Sequence, residues 1–285
     1  MATLQNKIDF AVVFRVDHAN PNGDPLNGNR PRTDYNGLGE VSDVCLKRKI
    51  RDRLQERGHA IFVQSNDRRD DSAKSLRERA EKFLGDKLAS ADKTRQAACE
   101  RWLDVRAFGQ IFPFKRKGSG KGKDGEDGGE GVSIPIRGPV TVRTAFSVLP
   151  VQGDLTSIQI TKSVNLEGDS DVKRGSDTIG MKHRVDKGVY FFFGAMNPQL
   201  AERTGFDDKD AEAIKEVLPR IFENDASSAR PEGSMEVLKV IWWKHNCKAG
   251  QFPSAKVHRS LKVSSDGGVE TEPLAGLEPE IINGL

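Results

Sequence analysis

The chain has 285 residues, of which 36% are hydrophobic and 31% charged, with a formal net charge of only +3. A modest core under a highly charged surface fits one large domain or a core domain with insertions, and no apolar run approaches the ~18 residues of a membrane helix. Cys45, Cys99 and Cys247 are far apart with no CxxC pair, a reduced, cytoplasmic pattern rather than a disulfide framework, and the opening MATLQNKIDF lacks the basic start and apolar run of a secretion signal.

Ile8 to Val16 reads as a β-strand. Ile8, Phe10, Val12, Phe14 and Val16 share one face and Ala11 and Val13 the other, so the strand is expected to be covered on both sides. From Asp17 to Gly39 the density of Asn, Gly and Pro rules out a continuous element. The next stretch predicts a helix capped by Ser42 or Asp43, stapled by Val41, and ended by Gly58, with Leu46, Ile50 and Leu54 as its buried stripe. Ala60–Gln64 reads as a short strand, and Ser72–Leu84 and Asp92–Leu103 as helical cores. The low-complexity run KRKGSGKGKDGEDGGEG over 115–131 reads as a mobile, disordered loop, which makes residues 60–132 an insertion.

From Ile134 β character returns in GPVTVRTAFSVLPVQ and SIQITKSV. The polar LEGDSDVKRGSDTIGMKHR then reads as part of a protruding hairpin before the apolar strand VDKGVYFFFGAMNP. Asp207–Phe222 predicts a second helix, capped by Asp207, with Ala211, Ile214, Leu218 and Ile221 inward and Pro219 kinking its last turn. In the final strand, Met235–Trp243, the adjacent Trp242 and Trp243 face opposite ways, one into the core and the other toward the surface or a subunit contact. The Gly- and Glu-rich tail from Ser264 is expected to be loosely attached.

Without insertions the order is strand, helix, strand, strand, helix, strand. That is the α+β pattern of ferredoxin-like and RNA-recognition-motif (RRM) folds, which host many functions. Charge is unevenly spread: six basic residues against two acidic over Lys47–Arg57, and six basic against none over Val237–Lys262. Lys47 and Arg51, one turn apart, can meet successive phosphates, although a solvated charged face looks the same. In the loop, Asn20, Asn22, Asn27 and Asn29 offer amide donors, glycines admit close backbone approach, and Arg30 and Arg32 can fork onto phosphate oxygens. NPNGDP does not match a P-loop and no Gly-Lys-Ser/Thr occurs, which argues against nucleotide hydrolysis. Asp17, His18, Asp24 and Asp34 could assist a 2′-hydroxyl attack, but they lack a second nearby His and any two-metal carboxylate spacing. No catalytic residue, metal ligand or cofactor is assigned. The hairpin carries Lys162, Lys173, Arg174, Lys182, His183 and Arg184 around Ile179 and Met181, an arrangement able to wedge between bases while cations hold the backbone. No aromatic RNP-type signature marks the sheet.

Six blocks occur in order between about Lys7 and Trp243: NGDPLNGNRPRTD, VSDVCLKRKIR, DVRAFGQIF, GPVTVRTAFSVLPV, ITKSVN and MKHRVDKGVYFFFGAMNP. Together they resemble the backbone subunit of the CRISPR Cascade effector, the Cas-seven superfamily, with the subtype I-C protein the nearest likeness. The resemblance implies an RRM-like palm (1–59, 133–160 and 187–263), inserted helical fingers (60–132), a protruding thumb hairpin (161–186) and a tail (264–285). It implies a non-catalytic, cytoplasmic ribonucleoprotein of antiviral defence. Copies would polymerise head to tail along one CRISPR guide RNA, each thumb displacing a nucleotide, and the exposed guide would pair with target DNA. The implied partners are a guide-processing endonuclease subunit, large and small Cascade subunits and a recruited helicase-nuclease, with no membrane. The implied guide contacts are Lys47 and Arg51 on the helix and Asn22, Arg30 and Arg32 in the loop. To these are added Arg137 and, on the thumb, Lys162, Arg174, Met181, Lys182, His183 and Arg184. Type III relatives cut target RNA with a loop Asp, so a metal-dependent endonuclease using Asp24 or Asp34 is the alternative.

Overall fold

The computed structural model describes residues 2–115, 131–151, 155–163 and 178–285. Strand β1 (Ile8–Ala19) is central because it is apolar on both faces. It pairs antiparallel with β10 (Thr178–Met196) on one side and β11 (Met235–Lys244) on the other. Beyond β10 lie β8 (Ala145–Pro150) and β4 (Leu38–Val41), and beyond β11 lies β14 (Glu280–Asn283). Strands β7 (Val140–Val142) and β9 (Leu155–Ser163) also pair with β10. Helix α1 (Asp43–Glu56) follows β1 and α6 (Asp208–Val217) follows β10, so the strand–helix–strand–strand–helix–strand order runs through β1, β8, β10 and β11.

Alternation sorts the side chains of the sheet. Phe10, Val12, Phe14 and Val16 pack with Tyr190, Phe192 and Trp242 against Leu46, Ile50 and Leu54 of α1 and Ile214 of α6. Ala11, Val13, Ile241 and Trp243 point to the outer face. The caps follow the local sequence. Ser42 Oγ accepts from the Cys45 N–H at 3.3 Å. At the other end Gly58 takes φ 85°, and the N–H groups of Gly58 and His59 reach the carbonyls of Gln55 and Leu54. Asp207 and Asp210 form a capping box on α6. Pro219 does not kink that helix. The helix stops at Val217, and Pro219 sits in a 3-10 turn, Leu218–Arg220, that keeps Leu218 and Ile221 buried.

The chain between α1 and β7 builds α2 (Leu76–Leu84), α3 (Ala91–Arg101), α4 (Leu103–Phe108) and the paired strands β5 (Gly109–Lys115) and β6 (Gly131–Arg137). It has its own apolar cluster around Phe62, Leu84, Trp102, Phe112 and Ile136. Ala60–Gln64 is not a strand. The Phe62 and Val63 N–H groups donate to the Asp104 carboxylate, at 2.7 and 3.1 Å, in place of a neighbouring chain.

Two further expectations are corrected at the C-terminus. Trp242 and Trp243 are both buried, because the chain beyond β11 returns over the outer face. Helix α7 (Ser254–Arg259), the hairpin β12 (Leu261–Val263) and β13 (Val269–Thr271), and Leu277 cover Trp243. The tail then adds β14 to the sheet edge, Ile281 pairing with Ile241, so it is an integral part of the fold. No helix among the described residues is long and apolar enough to cross a membrane. Residues 116–130 of the low-complexity run and 164–177 of the polar hairpin lie outside the described residues.

Candidate nucleic-acid interface

The loop after β1 folds into two small hairpins. Asp24 turns the first: its Oδ1 accepts from the Leu26 N–H at 3.1 Å and its carbonyl from Asn27 and Asn29. Gly28 and Asn29 take left-handed φ of 57°, which brings β3 (Arg30–Pro31) back beside β2 (Gly23–Asp24) and leaves Arg30 exposed. Asp34 turns the second, its Oδ1 accepting from Asn36 and Leu38 at 2.9 and 2.8 Å, while Arg32 and Thr33 run beside Gly39 and Glu40. Both aspartates therefore build turns. Asn22 acts as a strut, its Oδ1 accepting from the Ser42 N–H at 2.9 Å and tying the loop to the start of α1. Arg32 Nη2 lies 3.5 Å from Asp24 Oδ1, a long contact that leaves the guanidinium one-third exposed.

This loop lies beside the root of the β9–β10 hairpin. β10 is one continuous strand: its C-terminal part pairs with β1, and Thr178–Val185 pairs with β9. β3 rests against β10. His183 is held below the usual imidazole range by burial and then by the charge of Arg30. Strand alternation splits the hairpin block: Met181 and His183 share one face, Lys182 and Arg184 the other. Met181 is exposed, His183 is buried, and Arg184 Nε contacts Asp186 at 2.9 Å.

On α1, Lys47 and Arg51 differ. Lys47 Nζ makes an i,i+4 pair with Asp43 at 2.9 Å at the surface. Arg51 is only 12% exposed; its Nε sits 2.9 Å from the buried Asp104 carboxylate and its Cζ 5.0 Å from the Phe108 ring. It joins α1 to α4. Lys49, on the same helix, is buried against Asp225; burial lowers its pKa.

Arg137 is not brought to this end. Val140, three residues on, pairs with Met196 at the far end of β10 from His183, about 40 Å away at the usual rise of a strand. Lys162 falls within β9, its side chain outside the described residues, as is Arg174 altogether. Leu26 and Tyr35 escaped the sequence reading. Both stand fully exposed on the tips of the Asp24 and Asp34 turns. A lone large apolar residue one or two positions after an Asx-turn aspartate was the available signal.

Arg30, Arg32, Lys47, Lys182 and the exposed Met181 thus lie on elements gathered around one end of an antiparallel sheet. Fold and site define an α+β protein with a cationic loop set against the root of a long hairpin. The chain belongs to the Cas7 family, the family model described as CRISPR-associated protein Cas7 matching residues 6–278. A relative from Haloferax volcanii, "CRISPR-associated protein Cas7", is 29% identical over 253 residues, covering 84% of this chain and 71% of that protein. Among solved structures, a chain of a "CRISPR RNA-guided surveillance complex, pre-nicking" is similar with TM-score 0.43 and 18% identity, covering 83% of this chain and 75% of that one. A chain of a "CRISPR RNA-guided surveillance complex" gives TM-score 0.44 and 16% identity, covering 92% and 77%.

Proposed function

We propose that this protein is a guide-RNA-binding backbone subunit of a CRISPR surveillance complex, of subtype I-C. The sheet with α1 and α6 is an RRM-like palm, the inserted helices are fingers and β9–β10 is the thumb. Copies assemble head to tail on one CRISPR RNA in the cytoplasm and present it for pairing with target DNA, alongside the other Cascade subunits and a recruited helicase-nuclease. The subunit itself performs no chemistry. One observation carries this reading: in a Cas7-family chain, β3, with its exposed Arg30, rests against β10, the long strand of the hairpin.

Phosphate contacts on this reading come first from Arg30, Arg32, Lys47 and Lys182, with Met181 and the exposed Leu26 and Tyr35 available to bases. Asn22 and Arg51 act mainly by fixing the loop and α1 in place. Arg184, Lys162 and Arg174 extend the contact along the thumb. Arg137, at the other end, would meet a different stretch of the guide. The endonuclease alternative is disfavoured because Asp24 and Asp34 are spent on turns.

Arg30→Glu with Lys47→Glu tests the reading. The double variant is expected to melt like wild type yet to purify without nucleic acid, its 260/280 nm absorbance ratio falling to that of free protein. A variant still loaded with RNA would refute the assignment. Cuts at regular spacing in complementary RNA, abolished by Asp24→Ala or Asp34→Ala, would establish the alternative.

A further inference from the structure

The cationic stretch Val237–Lys262 is not accounted for by the guide-facing end. Some of its charges are matched: Lys248 pairs with Glu202 at 2.8 Å, Lys262 with Glu272 at 3.1 Å, and Lys239 bonds Asn283. Lys256 and Arg259 have no carboxylate partner among the described residues. Both line a groove of about 430 Å³ on α7, with Phe252, Ser260 and Leu274. Lys256 Nζ stands 4.4 Å from the Phe252 ring centroid. The carboxylate at this rim, Glu272, is the one engaged by Lys262.

Arg143 belongs to the same surface. It too has no carboxylate partner among the described residues, and its Cζ lies 5.8 Å from the Phe193 ring, which stacks at 4.4 Å on His258 of α7. Below, Asp9 Oδ1 is 3.1 Å from His258 Nε2, so α7 is anchored to β1 rather than resting loosely on the sheet. Phe193 pairs with Ala11 and Asp9 with Ala195. The surface therefore lies at the opposite end of β1 from the Arg30 loop and on the outer face of the sheet, away from α1.

We propose that Arg143, Lys256 and Arg259 form a second nucleic-acid contact, taking backbone phosphates of DNA that runs past the outer face. Unmatched cations on an anchored element beside an aromatic ring suit a phosphodiester strand. The identity of that strand as DNA rests on the guide-RNA reading, whereas its phosphate chemistry does not.

The test uses the full-length chain and its guide-loaded assembly, each as wild type and as Lys256→Glu with Arg259→Glu. The probe is a labelled duplex DNA of unrelated sequence, titrated by fluorescence anisotropy at several salt concentrations. The expected result is unchanged guide loading, with DNA affinity lowered roughly tenfold and the log–log salt slope reduced by about two. Unchanged DNA affinity and slope would overturn the proposal, as would follow if the surface meets an acidic protein instead. A variant that loses guide in step with DNA would overturn it too. Should the double reversal fail to fold, Lys256→Gln with Arg259→Gln decides on the same readout. A wild-type chain that loads no guide removes the guide reading, while duplex binding by the free chain still judges the surface.

Discussion

Lys47 and Arg51 look alike in sequence and are held differently in the fold. Arg51 and Asp104 form a largely buried pair, and removing one partner of such a pair leaves a charge without compensation, at a cost of about 3–5 kcal/mol. Arg51→Ala should fall near about 3 kcal/mol, since the N–H groups of Phe62 and Val63 still hold the Asp104 carboxylate. Urea unfolding measures this; a change below about 0.5 kcal/mol, typical of exposed pairs, would show that Arg51 is a surface cation after all. Asp9 is a second buried charge with a pH signature. Burial opposes its ionisation, yet contacts from His245, His258 and Ser254 and the charge of Lys7 hold its carboxyl well below the ordinary 3.8. His245 takes the Gln251 N–H on Nδ1 and so donates from Nε2 to Asp9, as a neutral imidazole. A depressed folded-state pKa adds stability that is fully present above the unfolded value and lost as pH falls below 3.8. The wild type should therefore weaken steeply below about pH 4, and Asp9→Asn should be less stable at pH 7 with a shallower acid limb. Equal acid limbs in the two proteins would contradict the proposed burden on Asp9.

At the level of elements, the C-terminal segment is the part whose role changed most between sequence and structure. Leu277 is buried over Trp243, and β14 lengthens the sheet. Leu277→Ala should cost about 2–5 kcal/mol, as for other buried leucines, and should shift tryptophan emission to longer wavelength. A loosely attached tail would leave both unchanged. The first strand, both core helices and their caps were legible because period-2 and period-3.6 patterns and capping residues act locally. The tail was not, because its few large apolar residues, such as Leu274, Leu277, Ile281 and Ile282, are set among Gly, Glu and Pro and find a purpose only against distant parts of the chain. The same limit applied at the site. The loop's donors and α1 could be named in order, but Arg51's commitment to Asp104, fifty-three positions on, carries no local mark. Nor does Arg137's place at the other end of the sheet, which depends on the register of β7 with β10.

For the whole molecule, the placement of charge bears on how copies would associate. The cationic loop and hairpin root occupy one end of the sheet, and the Arg143–Arg259 surface occupies the other end. On the proposed function, copies meet head to tail through a heterologous contact, which gives an open array wherever the rotation between copies does not close a ring. Its extent must then be set from outside, by the length of the RNA. If the proposed function holds, RNAs of increasing length should give assemblies whose mass, measured by analytical ultracentrifugation, rises in steps of one chain at regular nucleotide intervals. The affinity per step should fall linearly with salt on a log–log scale, because each added copy displaces counterions from the phosphates it covers. A closed ring or a fixed dimer would bind long and short RNAs with the same stoichiometry, so a mass independent of RNA length would rule out the templated array. Growth in steps with no salt dependence would instead retain the array and move the grip from the arginines and lysines of the loop and helix to the exposed Met181, Leu26 and Tyr35.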